Sequence, residues 1–406
     1  MSKLPPNYHI PKTLQLSSSV LLDAVKQFGT PLYVYDAAMI NEQWRVLRSM
    51  VPANTKVYYA VKANPNTTII RILRDLGASF QVASEGELDI VLGCGVSPSD
   101  IIFAGPGKTI QQLQKAIEHN LQAVVAESIR EIKTLQTLSE QANQKTRVAL
   151  RMQLGSSSHT AFFGMEENIM CNILMNASQY SHLDILGVHG YKQTNILDWE
   201  AIVQNSEKVL DAADKYQKLS GKALSFINIG GGFGIPYYEP QTMLDVNSLK
   251  PALHELIHKY TTKYPLTETI AIESGRFLAG PSGVFLTRVI DIKQAGGEQF
   301  AILDGGINFF NFFSRTFLQS EQISPLKVLK NSSEHEKPSM FTLCGPLCTR
   351  GDVLAKNTLL SPPPQIGDIM AFYQAGAYSL TASPVLFVSH KFPNEVIFDR
   401  GQLLPS

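Results

Sequence analysis

A lysine directly after a short apolar segment carries the first chemical signal in this chain. Lys62 lies near the end of Val57-Tyr-Tyr-Ala-Val-Lys-Ala-Asn64, a stretch that predicts a buried strand. A primary amine in such surroundings can condense with a carbonyl, and pyridoxal phosphate is the commonest carbonyl cofactor. Most lysines at strand ends are only solvated edges, so this interpretation depends on what else the chain supplies.

Three consecutive glycines follow another predicted strand. Gly230, Gly231 and Gly232 lie in Ile229-Gly-Gly-Gly-Phe-Gly234, where backbone N–H groups can wrap an anion such as a phosphate. A tight turn without a ligand is the alternative. A dinucleotide site is disfavoured, because that pattern belongs after the first strand, with an acid about 20 residues further on.

The segment Ile272-Glu-Ser-Gly-Arg276 ends a third predicted strand. A carboxylate such as Glu273, facing the pyridine nitrogen of pyridoxal phosphate, would keep that nitrogen protonated and the ring electron-accepting. Gly275 and Arg276 follow directly. The backbone of Arg276 could bind the phosphate, or its guanidinium could bind a substrate carboxylate. An ordinary Glu–Arg surface pair is the alternative.

Composition narrows the class of protein. The chain has 406 residues, 44% of them hydrophobic, and 35 basic residues balance 35 acidic ones. This balance disfavours nucleic acid and anionic membranes as partners, and the chain lacks an apolar run of membrane-spanning length. The start has no secretory signal, and four scattered cysteines suit a reducing compartment, so we expect a cytoplasmic protein without a metal site. The cysteines are Cys94, Cys171, Cys344 and Cys348.

Short apolar runs alternate with amphipathic segments and predict an α/β fold with a closed (β/α)8 barrel. The predicted barrel strands are Val57–Val61, Phe80–Ala83, Ile101–Ala104, Ala123–Ala126, Val148–Leu154, Ile185–His189, Phe226–Ile229 and Thr269–Ile272. Chemistry in this architecture gathers at the C-terminal strand ends. The polar residues found there are Lys62, Ser84, Glu127, Arg151, His189 and Glu273.

Amphipathic periodicity predicts helices between these strands. After Gly280 the sequence pattern predicts strands without long helices between them. The predicted helices are Thr67–Leu76, Ile110–Glu118 and Ile129–Ala142. The later predicted strands are Val284–Ile292, Phe300–Leu303, Met340–Leu343, Asp368–Tyr373 and Pro384–Val388. We therefore expect a barrel over residues 37–280, a β-sandwich or barrel-like domain over 281–406, and an N-terminal segment, 1–36, whose strand Pro31–Tyr35 joins that β domain.

The motifs, taken in order, resemble the fold-type III pyridoxal phosphate decarboxylases, which include the diaminopimelate and ornithine decarboxylases. The resemblance runs from about Pro31 to the C-terminus. Its matching pieces are Tyr59-Ala-Val-Lys-Ala-Asn64, Val82-Ala-Ser-Glu-Gly-Glu-Leu88, Ile102-Phe-Ala-Gly-Pro-Gly-Lys108, Gly230-Gly-Gly232, Glu273-Ser-Gly-Arg276, Cys348 with Asp352, and Gly376-Ala-Tyr378.

This resemblance implies a role for several residues. It makes Lys62 the lysine that bonds the cofactor, places Glu273 beside the pyridine nitrogen, and places the glycine loop and Tyr378 on the phosphate. It also implies a homodimer in which Cys348 and Asp352 reach the partner subunit's active site. Cys348 is then the candidate proton donor to the substrate's α-carbon.

Two departures from the family pattern concern the cofactor. Tyr191 takes the place of the histidine that stacks on the pyridine ring, and Thr194 takes the place of a phosphate-binding serine. A tyrosine can stack but carries no positive charge. We interpret His189 as a hydrogen-bonded strand histidine and leave Arg151 open between a site residue and a structural ion pair.

A third departure concerns the substrate. The family places an acid directly after the cysteine to hold a distal ammonium, and here that residue is Thr349. We therefore predict decarboxylation of an amino acid whose side chain is already conjugated, such as a citryl-amino acid of siderophore biosynthesis or a carrier-protein-bound amino acid. Asp352 could meet a substrate amine or pair with Arg350. The aromatic cluster Phe309–Phe313 is either core or a pocket wall.

Other functions remain as alternatives. The nearest is a diaminopimelate or ornithine-type decarboxylase acting on a free diamino acid. Amino-acid racemases share the barrel and cofactor, but their pyridine nitrogen faces an arginine, whereas here the acid Glu273 favours decarboxylation. A regulator that has lost the cofactor is disfavoured by Lys62 and the glycine loop, and a small cofactor carrier by the β domain.

Overall fold

The computed structural model describes residues 10–154, 162–238, 241–310, 325–330 and 337–406. These residues form two compact units. The barrel unit takes those of Trp44–Gly234 and Leu244–Gly275. The sheet unit takes those up to Gln43, those of Ile235–Met243 and those of Arg276–Ser406.

The strands of the described residues are β1 Leu32–Asp36, β2 Lys56–Ala60, β3 Ser79–Val82, β4 Ile101–Phe103, β5 Ala123–Ala126, β6 Thr146–Arg151, β7 Leu183–His189, β8 Phe226–Asn228, β9 Thr269–Ser274, β10 Gly283–Ala295, β11 Glu298–Leu303, β12 Leu326–Leu329, β13 Ser339–Cys344, β14 Val353–Leu360, β15 Ile369–Tyr373, β16 Asn394–Asp399 and β17 Gln402–Pro405.

The helices of the same residues are α1 Ser18–Phe28, α2 Ala37–Ser49, α3 Thr67–Asp75, α4 Glu85–Gly93, α5 Ile110–Glu118, α6 Ile129–Gln141, α7 Glu167–Met175, α8 Trp199–Ser220, α9 Val246–Lys263 and α10 Arg276–Ala279. Local signals explain several helix starts. Thr109 and Gln112 form a capping box at α5, and Ser84 caps α4. Among the described helices, none combines the length and apolarity needed to cross a bilayer.

The barrel unit contains the predicted closed parallel barrel, which is confirmed. Strands β2 to β9 pair in chain order, and β9 pairs with β2 to close the ring. Its interior is filled by small and aromatic side chains, including Tyr58, Ala149, Phe226 and Ala271. The strands are short and buried, which is why they appear in the sequence as continuous apolar runs.

The sheet unit contains a nine-stranded sheet in the described part of the chain. Its N-terminal strand β1 pairs antiparallel with β10 and parallel with β16, so the predicted joining of the chain's first strand to the β domain is confirmed. One face of this sheet packs on α1 through Leu21, Ala24 and Val25.

Some predicted elements were wrong or incomplete. Residues 384–388 do not form a strand, because Val388 has a φ of 61° and the following Ser389 a φ of 57°, which an extended strand cannot accommodate. Strands β12, β14, β16 and β17 were missed. Their polar residues, such as Lys356 and Asn357 of β14, interrupt the apolar pattern.

Candidate active site

Lys62 lies at the C-terminal end of β2, but not on the strand itself. It is the middle residue of a 3-10 turn, Val61–Ala63, whose two other residues are buried. The Lys62 side chain is exposed, although most residues of the preceding strand β2 are buried. Its Nζ lies 5.7 Å from the ring centroid of Tyr191, so the two residues approach each other over the barrel opening.

Glu273 is the centre of a buried hydrogen-bond network at the same end of the barrel. Its Oε1 accepts hydrogen bonds from Gln81 Nε2 at 2.6 Å, His189 Nε2 at 2.7 Å and Asn228 Nδ2 at 2.8 Å. Among the described residues, no hydrogen bond reaches its other oxygen, Oε2. The described residues therefore hold the carboxylate through Oε1.

The strand ladders explain why these side chains meet. Arg151 lies opposite His189 in the β6–β7 ladder, and His189 lies opposite Asn228 in the β7–β8 ladder. Sequence reasoning missed Gln81 and Asn228 as partners of Glu273. The available signal was a polar residue near the C-terminal end of an otherwise apolar strand.

The charge of Glu273 is stabilised by its neighbours. Burial raises the pKa of this carboxyl, but the His189 imidazole, the Lys62 ammonium and the Arg151 guanidinium lower it, and the net pKa lies below the usual value. Arg151 itself forms a buried ion pair with Glu127, with Nη1 and Oε1 2.6 Å apart. The arginine therefore serves a structural ion pair and also adds positive potential near Glu273.

The glycine loop packs closely against neighbouring backbone. A Cβ on Gly231 would lie 1.8 Å from the carbonyl oxygen of Glu273, and one on Gly232 would lie 2.3 Å from the carbonyl oxygen of Gln193. Gly230 and Gly232 have φ values of 79° and 95°, which favour glycine. Ile196 N–H donates to the carbonyl of Gly232, so the loop carrying Thr194 lies beside the glycine loop.

Gly275 directly follows β9 and has no room for a side chain, because its Cβ would lie 2.8 Å from Cβ of Ala63. The turn that carries Lys62 and the end of β9 therefore pack against each other. This contact brings the lysine and the Glu273 segment, predicted as separate motifs, onto the same side of the barrel opening.

In the sheet unit, Arg276 is buried between two tyrosines. Its guanidinium lies 4.8 Å from the Tyr378 ring centroid and 5.8 Å from the Tyr237 ring centroid, and its Nη1 donates to the Tyr237 hydroxyl at 2.6 Å. Tyr378 adopts a φ of 60°, a strained value for a tyrosine. Tyr237 was not anticipated from the sequence.

The loop between β13 and β14 in the sheet unit carries Cys348 and Thr349, which are both exposed. Asp352 organises this loop and is only 3% exposed. Its Oδ1 accepts from Ile307 N–H at 2.8 Å and its Oδ2 from Leu347 N–H at 2.7 Å. This geometry favours a structural role for the Asp352 carboxylate over either contact expected from the sequence.

The aromatic cluster is partly described. Phe309 and Phe310 are buried, and the Phe310 ring stacks on Phe285 with centroids 5.3 Å apart. These two residues are therefore core of the sheet unit, while residues 311–313 lie outside the described residues. Cys344 is half-buried.

The barrel residues fit pyridoxal phosphate. Among the described residues, no hydrogen bond uses Oε2 of Glu273 or the backbone N–H groups of Gly231 and Gly232. A carboxylate oxygen suits a protonated pyridine nitrogen, and two N–H groups in a glycine loop suit a phosphate. Lys62 supplies a primary amine, and Tyr191 supplies an aromatic ring.

Comparison with known proteins supports the same cofactor. The family model "Pyridoxal-dependent decarboxylase, pyridoxal binding domain" matches residues 37–280. The chain is 31% identical to the L-glutamyl-(BtrI acyl-carrier protein) decarboxylase of Niallia circulans, over 96% of this chain and 93% of that protein. It is 28% identical to the 2-((L-alanin-3-ylcarbamoyl)methyl)-2-hydroxybutanedioate decarboxylase of Staphylococcus aureus, over 89% of this chain and 92% of that protein.

A solved structure shows the same fold. The diaminopimelate decarboxylase of M. jannaschii in complex with L-lysine superposes with a TM-score of 0.86 at 25% identity, covering 95% of this chain and 91% of that one. The matching family domain, the full-length relatives and this fold agree with one another. The chain therefore belongs to the pyridoxal-dependent decarboxylases, and it is a pyridoxal phosphate-dependent amino-acid decarboxylase.

Proposed function

We propose that this enzyme removes the α-carboxylate of an amino acid whose side chain is already joined to a second acyl group or to a carrier. The observation that carries this proposal is the Cys348 loop. In Gly345–Asp352 the single acid is Asp352, and its carboxylate is buried on two backbone amides. Thr349 is uncharged. This loop therefore offers no available carboxylate to a distal ammonium.

The energetic consequence separates substrate classes. A substrate ammonium that loses a charged hydrogen bond loses about 1.5–3 kcal/mol of recognition, or about tenfold to a hundredfold in specificity. A side chain that ends in an amide or thioester has no such charge to satisfy. The names of two relatives describe substrates of this second kind, one glutamyl group on an acyl-carrier protein and one alanine joined through an amide to a hydroxylated dicarboxylic acid.

Each site residue has a defined role in this proposal. Lys62 would supply the primary amine that bonds the cofactor. Pyridoxal phosphate, when bound, withdraws electrons from the α-carbon so that carbon dioxide can leave. Glu273 would keep the cofactor's pyridine nitrogen protonated, because the lowered pKa of this carboxyl keeps it ionised. Tyr191 would supply an aromatic ring for stacking on the cofactor.

The remaining roles concern the phosphate and the returning proton. In the barrel unit, the cofactor's phosphate would be held by Gly230, Gly231, Gly232, Gly275 and Thr194. In the sheet unit, the family resemblance assigns Tyr378 to the phosphate, and Arg276 to the phosphate or to the substrate's carboxylate. Cys348 returns a proton to the α-carbon. We infer that Cys348 acts in the active site of a partner subunit in a homodimer, which agrees with its exposure in the single chain.

A substrate panel tests the proposal. Purified enzyme with pyridoxal phosphate is given meso-diaminopimelate, L-ornithine, L-glutamate and side-chain amides of L-glutamate and 2,3-diaminopropionate, and carbon dioxide release is measured. We expect the amides to exceed the free diamino acids by at least about tenfold in kcat/KM. Equal or faster turnover of a free diamino acid would instead favour the diaminopimelate or ornithine-type activity.

The Lys62→Ala variant tests the covalent role. We expect it to lose the visible absorbance of the lysine-bound cofactor while its far-UV circular dichroism stays native. The exposed Lys26→Ala variant, in the last turn of α1, serves as the matched control. Wild-type absorbance in the Lys62 variant would remove the basis of the assignment.

A further inference from the structure

An exposed aromatic residue stands on the C-terminal side of the fifth barrel strand. Phe162 is 62% exposed, yet its ring lies 4.0 Å, centroid to centroid, from the ring of Phe163. Phe163 in turn covers the guanidinium of Arg151, with 4.7 Å between Cζ and the ring centroid. Phe162 is thus the outermost member of a stack that begins inside the barrel opening.

The backbone below this stack is firmly anchored. Met165 N–H donates to the Arg151 carbonyl at 2.9 Å, and Gly164 N–H donates to Oε2 of Glu127 at 3.2 Å. Gly164 has a φ of 77°, and a Cβ there would lie 2.7 Å from the carbonyl carbon of Met152. The turn therefore holds Phe163 and Phe162 in place on the β6 side of the opening.

This stack is connected to the proposed reaction centre. Arg151 lies opposite His189 in the β6–β7 ladder, and His189 donates to Glu273. The positive charge of Arg151 is balanced by Glu127, so the stack offers the substrate an apolar ring surface. The face of a phenylalanine ring is electron-rich and repels carboxylates, whereas it packs well against uncharged aliphatic and amide groups.

We propose that Phe162 is a specificity-determining residue that packs against the uncharged arm joining the amino acid to its conjugate or carrier. The inference rests on the proposed function, because a free diamino acid has no such arm. During catalysis the arm would cover the exposed face of the Phe162 ring. An electron-rich phenylalanine ring at this position favours a neutral amide or thioester arm over a linker that bears several carboxylates.

Two substrates that differ only in the arm test this inference. L-glutamine carries a bare side-chain amide, and L-glutamate amidated with aminopantetheine carries the same amide with a long neutral arm. For the wild type, we expect kcat/KM to be higher for the arm-bearing amide. Phe162→Ala should reduce that preference by about threefold to tenfold, through KM rather than kcat, since one aromatic contact is lost.

Matched variants separate this role from others. Phe162→Tyr keeps the ring and should retain the wild-type preference. Leu266→Ala removes another exposed apolar side chain, 70% exposed and three residues before β9, and should leave the preference unchanged. Calorimetric affinity for the decarboxylated, arm-bearing product should fall in Phe162→Ala, while its thermal unfolding midpoint should not change.

The outcomes distinguish the inference from the function on which it rests. Free diamino acids preferred over both amides by the wild type would contradict the proposed function. A wild-type preference for the arm that survives intact in Phe162→Ala would overturn only the inference. An equal fall in kcat/KM for L-glutamine and for the arm-bearing amide in Phe162→Ala would also overturn the inference. Phe162 would then affect the barrel opening in general and not the arm.

Discussion

Glu273→Gln isolates the charge of the central carboxylate while keeping its shape. The amide oxygen can take the place of Oε1 and accept from Gln81, His189 and Asn228, all within 2.6–2.8 Å. The NH2 group then takes the place of Oε2 and presents a donor where the wild type presents an acceptor. A pyridine nitrogen facing that donor is held unprotonated, and electron withdrawal from the α-carbon weakens.

The magnitude follows from electrostatic stabilisation in a water-poor site. Removing one preorganised polar group of this kind costs about 10²–10³ in kcat, or about 3–4 kcal/mol. Folding stability should change much less, because three charge-assisted hydrogen bonds become neutral ones while the cost of burying a carboxylate disappears. The variant should therefore bind pyridoxal phosphate and decarboxylate slowly.

The assay compares kcat, cofactor absorbance and urea unfolding for wild type, Glu273→Gln and the control Glu118→Gln, at the exposed end of α5. A kcat within about fivefold of wild type in a cofactor-loaded Glu273→Gln enzyme would refute the reasoning. Loss of both cofactor and fold would refute the claim that the amide can use the same three donors.

The free energy of unfolding, measured as a function of pH on the acid side, gives an independent test of the charge on Glu273. Because the pKa of Glu273 is lowered in the folded barrel, its contribution to stability is present above the usual carboxylate range and disappears as pH falls through the folded pKa. Glu273→Gln should therefore lose less stability than wild type as the pH falls below the usual glutamate pKa of about 4.3. A larger loss of unfolding free energy at acid pH in Glu273→Gln than in the wild type would contradict the lowered pKa of Glu273.

Two further predictions concern the frame around the site. Lys108 Nζ is nearly fully buried and donates to two carbonyl oxygens and to the Glu131 carboxylate at 2.7–2.8 Å. Lys108→Ala should therefore lower the free energy of unfolding by about 3–5 kcal/mol in urea titrations. The control Lys115→Ala, which changes a partly exposed lysine, should change the free energy of unfolding little. A wild-type free energy of unfolding in Lys108→Ala would contradict the stabilising role of this buried ion pair. In Gly231→Ala the new Cβ would lie 1.8 Å from the Glu273 carbonyl oxygen, so the affinity for the cofactor, measured by fluorescence titration, should weaken at least about tenfold. Gly86→Ala is the control, because the nearest atom to its new Cβ is 4.0 Å away. Equal cofactor affinities in the two variants would show that the glycine loop does not hold the phosphate.

The barrel was predictable from the sequence because its strands are buried on both faces and separated by amphipathic helices. Strand β5 was predicted with its observed bounds, Ala123–Ala126, and β4 with one residue too many. The sheet unit was harder. Its strands β14 and β16 carry exposed polar residues, and Pro384–Val388 is apolar in sequence although its backbone turns at Val388.

The candidate site was predictable in its positions and much less in its contacts. Lys62 and Glu273 were placed at strand ends by the strand pattern alone. The bond from Gln81 to Glu273 joins residues 192 apart, and the bond from Asn228 joins residues 45 apart, so no local pattern reports either. The exposed position of Lys62 was also not predictable, because a run of apolar neighbours does not show that the strand ends two residues earlier.

The division of polar groups at the barrel opening explains why the fold and the cofactor belong together. The chain satisfies Oε1 of Glu273 three times, and among the described residues it supplies no partner for Oε2 or for the N–H groups of Gly231 and Gly232. A ligand with a cationic ring nitrogen at one end and a phosphate at the other would satisfy all three groups. Its binding would also stabilise the folded barrel by mass action, because the unfolded chain cannot present these groups together.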